Sequence, residues 1–119
     1  MKPIWIVDDD QSIRFVLEKA LTRESLPVRV FTNPRDVLAA LDEDEPQVLV
    51  SDIRMPGGSG IDLLTEVKAR KPGLPVIIMT AFSDRTVGHF KDHGANEVVY
   101  KPIDVEGLLD KVITLLSAS

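Results

Sequence analysis

The chain has 119 residues, a length suited to one domain over 1–119 with a single core between a sheet and its covering helices. Hydrophobic residues at 44% and charged residues at 28% are the balance of a folded globular protein, and a net charge of −5 argues against direct nucleic-acid binding. The absence of cysteine excludes disulfide frameworks and thiolate metal sites, while apolar runs no longer than Val76 to Met79 and a start without a signal-peptide layout lead us to expect a cytoplasmic protein with no membrane association.

Ile4-Trp5-Ile6-Val7 is a short run of β-branched and aromatic residues cut off by three aspartates, which predicts a buried strand. Ile13, Val16, Leu17, Ala20 and Leu21 then recur at helical spacing, with Asp10 or Ser12 placed to cap the start and Pro27 beyond the end. Val28 to Phe31 reads as a second strand. Asn33 caps the next helix, Pro34 occupies its first position, and Val37, Leu38 and Leu41 form its buried stripe.

Val48 to Ser51 is the third strand, and a loop with Pro56, Gly57, Gly58 and Gly60 leads to a helix with Ile61, Leu64 and Val67 on one face. Lys68, Arg70 and Lys71 fall at its C-terminus, where they complement the helix dipole. Val76 to Met79 is the fourth strand. Ser83 to His93 forms the fourth crossover, with Gly88 inside it and only Val87 and Phe90 as an apolar stripe. Val98 to Tyr100 is the fifth strand, and a helix entered through Asp104 carries Val105, Leu108, Leu109, Val112 and Leu116.

Apolar strands alternating with amphipathic helices predict a parallel sheet covered on both faces, an α/β doubly wound fold. We expect a flavodoxin-like five-stranded sheet of order 2-1-3-4-5 with five helices, in which strands one and three meet at the switch point. Ligands bind there, beyond the carboxyl ends of the strands. The residues at those ends are Asp8, Asp9 and Asp10, then Asp52, then Thr80 and Ala81, and finally Lys101.

Any one of these aspartates could be a turn former or an N-cap, and Asp10 fits that reading well. Delivery of carboxylates, a hydroxyl and an ammonium to one edge is harder to explain that way. If Asp8, Asp9 and Asp52 converge, their repulsion calls for a cation, and oxygen-only ligands favour a hard ion such as Mg2+ over calcium. A carboxylate beside such an ion can act as a nucleophile toward a phosphoryl group. Asp52 is the candidate phosphoacceptor, with Lys101 and Thr80 placed to contact the phosphoryl oxygens.

Asp8-Asp9, Asp52 followed by Met55-Pro56-Gly57, Thr80-Ala81 and Lys101-Pro102 together resemble the motif set of the receiver domains of bacterial response regulators, over the whole chain. Within that family the receivers of NtrC-type nitrogen-regulatory activators are the most similar, through Val7 to Asp10, Ser12-Ile13-Arg14 and Ser51 to Gly57. The resemblance implies Mg2+ bound directly by Asp9 and Asp52, through water by Asp8, and by the Arg54 backbone carbonyl. It also implies a cis Lys101-Pro102 peptide and a sensor histidine kinase as phosphoryl donor. The output is an effector domain or protein not in this chain, and a homodimer on phosphorylation is compatible with the family. Such a module assists its own phosphorylation without being a turnover enzyme.

Two departures stand out. Val98 occupies the place where receivers usually carry an aromatic switch residue, with Tyr100 on the same strand face. The Thr80 to Gly94 segment is one residue shorter than usual and lacks an alanine-rich stripe. A degenerate scaffold that no longer switches is therefore an alternative reading. Asp8 and Asp10 also form a D-x-D pattern like that of haloacid-dehalogenase phosphatases, but the further acidic pair of those enzymes is missing. A flavin module is disfavoured because Asp8 to Asp10 would repel a cofactor phosphate. His89 and His93, four apart, lack a third metal ligand and read as a solvated pair.

Overall fold

The computed structural model describes residues 2–55, 58–80 and 87–117. In chain order its elements are β1 (Ile4–Val7), α1 (Gln11–Arg23), β2 (Val28–Phe31), α2 (Pro34–Leu41), β3 (Val48–Asp52), β4 (Arg54–Met55), β5 (Gly58–Ser59), α3 (Gly60–Arg70), β6 (Val76–Thr80), α4 (Val87–Asp92), β7 (Glu97–Tyr100) and α5 (Val105–Ser117). The main sheet is parallel throughout, in the order β2-β1-β3-β6-β7. Numbered within that sheet alone, its strands run 2-1-3-4-5, as expected.

Side-chain alternation along the strands divides the core in two. Trp5 and Val7 face a layer with Val37 and Leu41 of α2, Leu63, Leu64 and Val67 of α3, and Phe90 of α4. Ile4 and Ile6 face the opposite layer, with Leu17, Ala20 and Leu21 of α1 and Leu108, Leu109 and Val112 of α5. The helices therefore cover both faces, and the inner strands β1, β3 and β6 are buried along their whole length.

Local signals act where the sequence places them. Asp10 caps α1 by accepting from the Ser12 N–H at 2.9 Å. Asn33 caps α2 by accepting from the Asp36 N–H at 2.9 Å, with Pro34 next to it. The Lys101-Pro102 peptide is cis.

Several expectations need correction. Val16 belongs to the helical apolar pattern but is 46% exposed, because α1 buries a narrower stripe against the sheet. β2 is an edge strand, as the expected order 2-1-3-4-5 requires, with Arg29 and Val30 exposed, and the Arg29 guanidinium lies over the rings of Trp5 and Phe31. The segment after β3 is more than a loop, since β4 and β5 pair antiparallel in a two-stranded ribbon. Its strands are too short for any periodicity to show in sequence. The fourth crossover helix is confined to Val87–Asp92 within the described residues. Ala81 to Thr86, Pro56 and Gly57 lie outside them, as does the side chain of His89.

Lys68 does more than complement a dipole. Its Nζ donates to the Leu74 carbonyl at 2.6 Å and to Asn96 Oδ1 at 2.8 Å, and Asn96 Oδ1 also accepts from the Val76 N–H. This strut joins the end of α3 to the starts of β6 and β7, and burial pushes the Lys68 ammonium below its usual pKa.

Helix α1 ends in a paired-hydrogen-bond cap: Ser25 N–H donates to Thr22 O and Leu26 N–H to Leu21 O. Ser25 itself takes a φ of 62°, where a side chain is disfavoured and glycine is not. Ser25→Gly is expected to stabilise the fold by roughly 0.5–1 kcal/mol in urea unfolding, and a loss of stability would contradict this account of the cap.

Candidate functional site

The sheet register assembles the site. Val7 pairs with Ser51, so the next residues, Asp8 and Asp52, leave adjacent strands side by side. Asp52 pairs with Met79, so Thr80 lies one residue further along the neighbouring strand. Thr80 pairs with Tyr100, and Lys101 follows directly, its N–H donating to the Thr80 carbonyl at 2.8 Å. Four of the predicted residues thus reach one edge through strand pairing alone.

Among the described residues, Asp8, Asp9 and Asp52 form the one group of three side chains able to hold a metal ion, each offering an oxygen within 4.8 Å of the others. Asp8 is fully buried and Asp52 nearly so, whereas Asp9 is exposed. Lys101 Nζ stands 3.2 Å from an oxygen of Asp8 and 3.2 Å from one of Asp52. Asp8 also accepts a hydrogen bond from the Asp10 N–H at 2.9 Å. Asp10 directs its own carboxylate to Ser12 as a helix cap, so the structural reading of that residue holds.

Three carboxylates faced by one ammonium leave an excess of negative charge. At the observed spacing, each like-charge pair costs on the order of 3 kcal/mol at an effective dielectric of 20. Burial holds the Asp8 carboxyl above the ordinary carboxylate range; the Asp10 N–H opposes this, Asp52 adds to it, and Lys101 opposes it. For Lys101, burial pulls the pKa down, but the charges and hydrogen bonds of Asp8 and Asp52 outweigh it and raise the group above its usual value. The ammonium therefore persists well into alkaline conditions.

Oxygen donors at this spacing, two of them buried and short of positive charge, fit a hard divalent cation. Thr80, buried as the last residue of β6, brings a hydroxyl-bearing side chain to the same edge. Arg54 opens β4 two residues after Asp52, beside the site along the chain. Val98 is buried in the core layer that includes Phe90, while Tyr100 is 43% exposed. One contact was not legible beforehand: Arg14, quoted above only as part of a resemblance, donates from Nη1 to the Asp8 backbone carbonyl at 2.6 Å. A separation of six residues across a strand–helix turn belongs to no simple spacing rule.

Comparison with known proteins gives a consistent result. The family model for the response regulator receiver domain matches residues 4–113. The DNA-binding transcriptional regulator NtrC of Proteus hauseri is 47% identical over 115 residues, covering 93% of this chain and 24% of that protein. The solution structure of the apo receiver domain of nitrogen regulatory protein C superposes with a TM-score of 0.88 at 46% identity, covering 98% of this chain and 95% of that one. The BeF3-activated form of that receiver gives 0.84 at 45% identity, covering 99% and 98%. The chain spans about a quarter of the length of the curated relatives it matches.

The charge balance predicts how the metal-free fold responds to losing Lys101. A carboxyl with a raised folded-state pKa penalises folding as pH rises above its ordinary value of 3.8, and removing the ammonium deepens that penalty. Lys101→Met should therefore lose about 1–3 kcal/mol at pH 7 in the presence of a chelator, measured by urea unfolding. The deficit should shrink as pH falls through the raised titration of Asp8 toward 3.8; a deficit that does not change with pH would show that charge is not its cause.

Proposed function

The chain belongs to the response-regulator receiver family, and from that premise we propose that it is a phosphoacceptor signalling module that takes a phosphoryl group onto Asp52 and thereby switches a protein-binding surface. The observation that carries the proposal is a nearly buried carboxylate flanked by Asp8 and Asp9 and paired at 3.2 Å with the Lys101 ammonium.

An oxygen of Asp52 attacks the phosphorus of the donor. A P–O bond breaks when the donor is a small acyl phosphate, and a P–N bond when it is the phosphohistidine of a sensor kinase. The electron pair of that bond leaves with the departing group, and Asp52 becomes an acyl phosphate. Lys101 exchanges a carboxylate partner for a phosphoryl oxygen, a step favoured because its charge survives at any physiological pH. The Thr80 hydroxyl supplies a donor to a second oxygen. Mg2+ held by Asp8, Asp9, Asp52 and the Arg54 carbonyl, when bound, offsets the charge on the carboxylates and on the incoming phosphoryl group.

The BeF3-activated state of the NtrC receiver supports a phosphoryl-dependent switch in this chain as well. We place the module in the cytoplasm, opposite a sensor histidine kinase; no helix among the described residues is long and apolar enough to cross a membrane. Its curated relatives are named DNA-binding regulators. With a net charge of −5, this portion is assigned to signal reception, and contact with DNA to an effector outside it.

Intact mass after incubation with Mg2+ and acetyl phosphate tests the proposal. The parent should gain one phosphoryl group and Asp52→Asn none, and Thr80→Ala should accept phosphate yet fail to alter partner affinity or dimerisation. Absence of an adduct on the folded parent would favour a degenerate scaffold, and addition to the Asp52→Asn chain would move the acceptor elsewhere.

A further inference from the structure

The Asp8 carbonyl lies just past the end of the parallel ladder, whose last pairs are Val7 with Phe31 and Val7 with Ser51. Arg14 reaches back from the first turns of α1 and donates to that carbonyl at 2.6 Å. The Arg14 N–H is itself fixed on the Asp10 carbonyl at 3.1 Å, and Asp10 caps the same helix. The Asp8 N–H is tied to Phe31 and the Asp8 carboxylate to the Asp10 N–H. The backbone anchors of this short turn named here are thus internal to β1, β2 and α1, while the Asp8 carboxylate is also held by Lys101 from beyond β7.

We propose that Arg14 is a positioning residue for the acidic cluster, acting on Asp9 through the peptide bond between Asp8 and Asp9. This rests on the reading that the cluster holds a divalent cation. The peptide is planar, so fixing the Asp8 carbonyl fixes the plane from which the Asp9 backbone departs. Asp8 and Asp52 are held by burial and by Lys101, but Asp9 is exposed and depends on its backbone to keep its oxygen within 4.8 Å of theirs. Arg14 does not touch the ion; it orients a ligand, as outer groups commonly do in metal sites.

The sign of the effect separates this role from a purely electrostatic one. Arg14 is a cation near an acidic site, so removing its charge alone would tighten Mg2+ binding. Loss of positioning instead weakens it. Mg2+ titration by calorimetry of the parent, Arg14→Met, Arg14→Lys and Asp52→Asn distinguishes them, with the carbonyl 13C shift of Asp8 as a metal-free readout. Arg14→Met should bind Mg2+ on the order of tenfold more weakly and move the Asp8 carbonyl resonance. Arg14→Lys, which keeps a donor, should recover most of the affinity. If the parent binds and Arg14→Met binds equally or more tightly, the positioning role is overturned while the cation reading stands. If the folded parent does not bind Mg2+, both fall together.

Discussion

Repulsion among Asp8, Asp9 and Asp52 is the constraint around which the rest of this molecule is arranged. Carboxylates with oxygens within 4.8 Å of one another, one of them fully and one nearly buried, would separate if their backbone allowed it. The backbone does not allow it. Asp8 and Asp52 extend from adjacent parallel strands whose apolar residues are buried on both faces, so moving either carboxylate would slide a strand and unpack two core layers. Hydrophobic burial thus holds together charges that electrostatics would part.

Lys101 shows how a distant segment completes the arrangement. It arrives after β7 at the far side of the sheet, 93 residues from Asp8, and is joined to β6 by the hydrogen bond from its N–H to Thr80. Its single ammonium bridges Asp8 and Asp52 without matching their combined charge. The remaining deficit makes the site receptive to a cation, and the shared ammonium leaves it ready to receive an anionic group. Thr80 ends β6 and Lys101 directly follows β7, so both stand at strand ends that lead toward α4 and α5. Val98, three residues before Lys101, is buried in the core, while Tyr100 on the same strand is 43% exposed.

Much of this was legible in the sequence because the signals are local. β1, β3 and β6 announce themselves as unbroken apolar runs, and Asp10 and Asn33-Pro34 mark helix starts by short-range hydrogen bonding. The site followed from asking what stands after each strand. What escaped detection depends on tertiary contact. Val16 obeys helical periodicity yet faces outward. The ribbon of β4 and β5 is too short to leave a pattern. Arg14 on the Asp8 carbonyl and Lys68 between Leu74 and Asn96 are long side chains meeting polar backbone or amide groups, a pairing that no spacing rule specifies.

The central claim is that the acidic edge is an electrostatic cost carried by the metal-free fold and relieved by a divalent cation bound through Asp52. A ligand that binds only the folded state stabilises it by mass action, so the claim is visible in unfolding alone. The most direct measurement is the urea midpoint of the parent and of Asp52→Asn at neutral pH, with a chelator and then with saturating Mg2+. The account predicts a clear rise for the parent and little for the variant; equal shifts in both, or none in either, would contradict it.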